Sequence, residues 1–83
     1  MILYSTSEAY DKELKNRFSY HLPYGTQTDR YEEIRGEILD LAILLSHTCP
    51  PSRELSIAMT KLDEVMFFAN ASIARNENEL GEE

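Results

Sequence analysis

The sequence predicts an all-α fold: a short N-terminal helix plus a long antiparallel helical hairpin, assembled as a helical oligomer. Three observations predict it. Two long stretches carry apolar residues at alternating spacings of three and four. A proline pair, Pro50-Pro51, stands between them and forces a turn. Together the two stretches hold more apolar surface than a pair of facing helices can cover.

The first helix is expected over about 7–18, S-E-A-Y-D-K-E-L-K-N-R-F. Ser7 suits the N-cap, acids fill the first turn, and Lys15 and Arg17 sit near the end, an order that complements the helix dipole. Its apolar residues are few, Ala9, Tyr10, Leu14 and Phe18, so it should lean on something larger. A loop over about 19–28 follows, punctuated by Pro23 and Gly25. The second helix is expected over about 29–47, capped by Thr28 or Asp29, since Asp29 with Glu32 resembles a capping box. Tyr31, Ile34, Ile38, Leu41 and Leu45 form its stripe. Pro50 and Pro51 end it and push Cys49 away from helical geometry. Ser52 restarts the chain as an N-cap, and Leu55, Met59, Leu62, Met66, Ala69 and Ile73 make the seam of a third helix over about 52–76. The acidic tail 77–83 is expected to fray.

These seams leave apolar residues over. From Ile38 to Leu45 the sequence is apolar almost all round, and Ile57, Val65, Phe67 and Phe68 fall outside the third helix's seam. Burying such side chains is worth roughly 1.5–3 kcal/mol each, so partner subunits are expected to cover them. The need is acute at 83 residues, close to the size at which a lone core leaves only a few kcal/mol of stability. Disulfides cannot help, because Cys49 is the single cysteine, and one thiol with two separated histidines is no zinc site. A lone thiol, no basic-then-apolar leader and no run long enough to span a bilayer together point to the cytosol. Fifteen acidic against eight basic residues, a net charge of −7, disfavour long nucleic acid as a partner. A small anion needs only a few local donors.

Such donors gather around the loop. Tyr20 and Tyr24 offer flat faces, and Arg17, Arg30 and Arg35 lie within a helical turn or two. A base can stack on an aromatic ring while a guanidinium fork takes the phosphate. The plainer reading of the same residues is that Tyr20 and Pro23 staple the first helix to the hairpin while the arginines pair with surface glutamates. His21 has no nucleophile or metal partner in view, which argues against catalysis. His47 suits the C-terminal end of a helix, and Cys49 a turn. Arg75 ends a small-residue run, Asn70-Ala71-Ser72-Ile73-Ala74-Arg75, where helices can approach closely; arginines converging there would attract an anion.

The segments F-S-Y-H-L-P-Y-G-T-Q (18–27), R-Y-E-E-I-R (30–35), C-P-P-S-R-E-L-S-I-A-M-T-K-L-D-E-V-M (49–66) and F-A-N-A-S-I-A-R-N (68–76) resemble the hairpin domain of phage cyclic-oligonucleotide sponges. These proteins counter the bacterial CBASS and Thoeris defences. The resemblance spans most of the chain in the same order. It implies a hexamer built as a trimer of antiparallel dimers, working in the host bacterial cytosol during infection. It also implies a protein that sequesters cyclic di- and trinucleotide messengers without cleaving them and needs no cofactor. Carried over by residue, Tyr20 matches the tyrosine that stacks on a base and Arg35 a basic position that contacts phosphate. Phe18, His21, Pro23 and Arg30 belong to the same dinucleotide-binding motifs, and Arg75 matches a residue of a second, trinucleotide pocket where subunits meet. Leu22 and Tyr24 depart from the usual pattern, in which proline and a basic residue are common. The strand-forming sequence of relatives that trap cyclic ADP-ribose isomers is absent. The competing expectation is an oligomeric adaptor that binds another protein through leftover apolar surface; a phosphodiesterase would need metal ligands or a competent base that the sequence does not supply.

Overall fold

The computed structural model describes residues 4–77, and these form three helices and no strand: α1 (Glu8–Arg17), α2 (Gln27–Thr48) and α3 (Arg53–Asn76). Ser7 caps α1, its hydroxyl accepting from the Tyr10 N–H at 3.1 Å. Thr6 adds a bond to Asp11 at 2.6 Å. Ser52 caps α3 in the same way through the Leu55 N–H. Between α2 and α3, Cys49 is extended (φ −114°, ψ 138°), as a residue before proline must be, and its N–H closes the last turn onto Leu45 O. The hairpin turn thus needs only residues 49–52.

The start of α2 differs from the expectation. The helix opens at Gln27, two residues before 29, so Asp29 lies in its first turn. Gly25 causes this. At φ +56° it occupies the left-handed region that glycine enters without a Cβ clash, and the reversal lets the Gln27 N–H reach Tyr24 O at 3.1 Å. The Gln27 side chain then reaches back to the Tyr24 N–H at 3.2 Å, the reciprocal bond expected from Glu32. Glu32 pairs with Arg35 instead. At the other end, the tail is outside the described residues except for Glu77, which is held firmly rather than frayed.

Packing is between α2 and α3. Their stripes meet except at Leu41, which is exposed at 42% while its neighbour Ala42 is half-buried, and no apolar side chain among the described residues is fully buried. Leu39, Ile43 and Leu44 on α2 and Ile57, Val65, Phe67 and Phe68 on α3 stand open, Phe68 at 71%. The Cα radius of gyration is 17.5 Å, against about 12 Å for a compact chain of this length. One protomer is therefore a thin slab, 17 Å in its shortest extent, without an interior of its own.

Candidate functional site

A cleft of about 360 Å³ opens where α1, the loop and the far ends of α2 and α3 come together. Arg17 of α1, Ser19, Tyr20 and His21 of the loop, Tyr31 and Arg35 of α2, and Asn70, Ala71, Ala74 and Arg75 of α3 line it. Its size falls within the range of small-ligand sites. Small residues open the α3 wall: Ala71 and Ala74 stand one turn apart on the cleft side, leaving room that larger side chains would fill.

Two long-range bonds bring the elements together. Asn16 donates its Nδ2–H to Arg75 O at 2.9 Å, joining α1 to the end of α3. His21 Nε2–H donates to Asn16 O at 2.7 Å, tying the loop to the same point. His21 is thereby a bracket of the loop, with its Nε2 engaged. Ser19 is likewise committed, its hydroxyl donating to Lys15 O. Tyr20 is held by none of these bonds and is 83% exposed, its ring presented at the cleft mouth.

Charge at the cleft has the sign opposite to the chain's. Three guanidiniums, Arg17, Arg35 and Arg75, line it, and among the described residues no carboxylate does. Arg17 lies over the Phe18 ring at 5.3 Å. Neither it nor Arg75 has an ion pair among the described residues. Arg35 meets Glu32 at 2.6 Å, but both side chains are exposed and such a pair is screened by water. On the α3 wall, Asn70 Oδ1 is buried with no hydrogen-bond partner. A buried, unpaired acceptor is costly to leave so, and a ligand N–H would satisfy it.

Of the residues singled out from sequence, Tyr20, His21, Arg35 and Arg75 share this cleft, whereas Phe18, Pro23 and Arg30 lie outside its lining. Phe18 is 76% exposed and Pro23 is exposed. Arg30 is taken by Glu77, in a two-pronged pair at 2.5 and 2.6 Å. That pairing raises the Arg30 pKa above its ordinary value and holds the Glu77 carboxyl down to about 2. Sequence reasoning counted Tyr31 only as part of the apolar stripe and passed over Asn70 as a ligand group. Periodicity marks a helix face but not which of its residues edge a cleft.

A family model described as Acb2/Tad1, hairpin domain, matches residues 11–74 of the 83, from the middle of α1 to the last turn of α3. No curated protein and no solved structure matches.

Proposed function

The chain belongs to the Acb2/Tad1 hairpin family, the anti-CBASS and anti-Thoeris sponges, and on that premise we propose that it sequesters cyclic di- and trinucleotides in this cleft without cleaving them, blocking CBASS immunity in the infected cell's cytosol. The observation that carries the reading is the exposed Tyr20 ring beside Arg35 and Arg75 in one cleft of a strongly acidic chain. Tyr20 takes a base by stacking. Arg35 releases Glu32 and takes a phosphate, because a buried guanidinium–phosphate pair is stronger than an exposed carboxylate pair. Asn70 Oδ1 accepts from a base N–H. The side chains at hand are suited to holding a ligand: the lining offers no carboxylate, and its one imidazole serves the loop.

The open apolar faces of α2 and α3 support self-assembly, and the family resemblance supports a hexamer, a trimer of antiparallel dimers. Arg75 is the trinucleotide residue in this reading. Within one protomer it shares the cleft with Tyr20, so the two ligands compete unless assembly divides the space. Incubation with 3′,3′-cyclic GMP-AMP, removal of free ligand, denaturation and chromatography test the proposal. Intact ligand should be recovered. Linear product would make the protein a phosphodiesterase, and no retention of this ligand or of a cyclic trinucleotide would leave an adaptor.

A further inference from the structure

The cleft is framed by a bond network that lies outside it. Glu77 is the first residue beyond α3. Its carboxylate accepts from both terminal nitrogens of Arg30, at 2.6 and 2.5 Å, and from Gln27 Nε2 at 3.2 Å. Gln27 is the one buried side chain among the described residues, at 2% exposure, and its Oε1 accepts the Tyr24 N–H. A continuous path therefore runs from the end of α3, through Glu77 and Gln27, into the loop that carries Tyr20 and His21. Arg30 is fixed from its other side, Nε donating to Thr26 Oγ1 at 3.0 Å. Tyr31, next to Arg30 on α2, lines the cleft; burial, then the Glu77 charge, raises its pKa against the lowering effect of Arg30.

Resting on the reading of the cleft as a nucleotide site, we propose that Glu77 is a positioning residue: its carboxylate latches the end of α3 to Arg30 and Gln27, and so fixes Arg75 relative to Tyr20. It does this from outside the cleft lining. The latch has a second effect. A loose carboxylate two residues from Arg75 would compete with any anion for that guanidinium; locked onto Arg30, with its side chain only 14% exposed, it leaves Arg75 without an ion pair among the described residues. Arg30 then serves as the latch's anchor and not as a phosphate contact.

The test compares the parent with Glu77→Gln, Arg30→Gln and the exchange Arg30→Glu/Glu77→Arg. Each is titrated calorimetrically with 3′,3′-cyclic GMP-AMP, and amide hydrogen exchange is followed without ligand. Each single variant should weaken binding by about twofold to fivefold, the scale of one partly screened ion pair, with helical circular dichroism and assembly unchanged. The Tyr24 amide should exchange faster in both. The exchanged pair should bind more tightly than either single variant, a recovery that loss of the original contacts alone does not give. Parent-like affinity in Glu77→Gln, or an exchanged pair no better than the singles, overturns the proposal. If the parent itself retains no 3′,3′-cyclic GMP-AMP, the nucleotide reading falls separately. The latch is then judged on exchange alone: a faster Tyr24 amide in Glu77→Gln supports it and an unchanged one overturns it.

Discussion

The two ends of the hairpin are closed by different physics. At the turn end, covalent connection does the work: residues 49–52 join α2 to α3, Pro50-Pro51 stiffen the link, and each neighbouring helix end is completed by local bonds, Cys49 N–H to Leu45 O and Leu55 N–H to Ser52 Oγ. At the open end no covalent link helps. There Asn16 reaches Arg75, Gln27 and Arg30 reach Glu77, and His21 brackets the loop. Open apolar surface lies at the loop, in Phe18, Tyr20 and Leu22, and along the facing helices between these ends. The difference separates stability from recognition. On the proposed function, recognition uses the end that must be assembled from distant segments, and stability comes from partner subunits covering the faces between.

The largest expected effect breaks that division at the apolar faces. Phe67→Glu/Phe68→Glu removes two side chains whose burial is worth roughly 1.5–3 kcal/mol each and puts charges in their place. Light scattering should show the proposed hexamer lost and circular dichroism should show reduced helicity. A parent that is already monomeric at micromolar concentration would place stability within the hairpin after all. Tyr20→Ala comes next. It should lose roughly 1–3 kcal/mol of dinucleotide binding with helicity intact, since the exposed ring supports nothing; Arg35→Ala should act similarly through the phosphate. Parent-like binding in both variants would move the pocket elsewhere.

Smaller effects sharpen the contrast. Cyclic trinucleotide should raise the melting temperature by mass action, and Arg75→Ala should abolish that shift and, since Arg75 lines the same cleft as Tyr20, weaken dinucleotide binding as well; parent-like dinucleotide affinity in Arg75→Ala would instead give the two ligands separate sites. Ser52→Ala at the turn end should cost about 1 kcal/mol of stability and leave ligand affinity alone, as read by thermal melts and calorimetry. The Glu77 carboxyl is held from 4.5 down to about 2. A depressed carboxyl stabilises the fold above the unfolded pKa, and that contribution disappears as pH falls through the folded one. Between about pH 4.5 and 2 the open end should therefore loosen, seen as faster Tyr24 amide exchange relative to the parent's Leu55 amide, after correction for intrinsic rates. In Glu77→Gln the ratio should stay flat across that window.

The hairpin was legible because its determinants are local. The spacing of Leu55, Met59, Leu62 and Met66, the caps at Ser7 and Ser52 and the proline pair each act within a turn or two of themselves. The gathering of Tyr20, His21 and Arg35 in one cleft was legible for the same reason, with Tyr20 and His21 adjacent and Arg35 nearby on the following helix. What escaped were pairs far apart in sequence. Nothing around Glu77 distinguishes it from the other acids near the C-terminus, and nothing around Arg30 says that its guanidinium is already engaged. That Arg75 stands in one cleft with Tyr20 depends on how α3 crosses the loop, which no local pattern reveals. The early start of α2 escaped for a subtler reason: Asp29 and Glu32 offered a plausible cap, and the backbone reversal at Gly25 made it unnecessary.

A protomer with no fully buried apolar side chain among its described residues has a consequence for dosage. When order comes from subunits covering one another, the folded fraction depends on total concentration as well as temperature. Dilution then acts as a denaturant. A binder that works by stoichiometric capture would be doubly sensitive to supply, since each new chain both adds a site and raises the proportion of chains able to display one. Capture capacity would climb more steeply than protein mass as synthesis begins, with a threshold below which few intact sites exist.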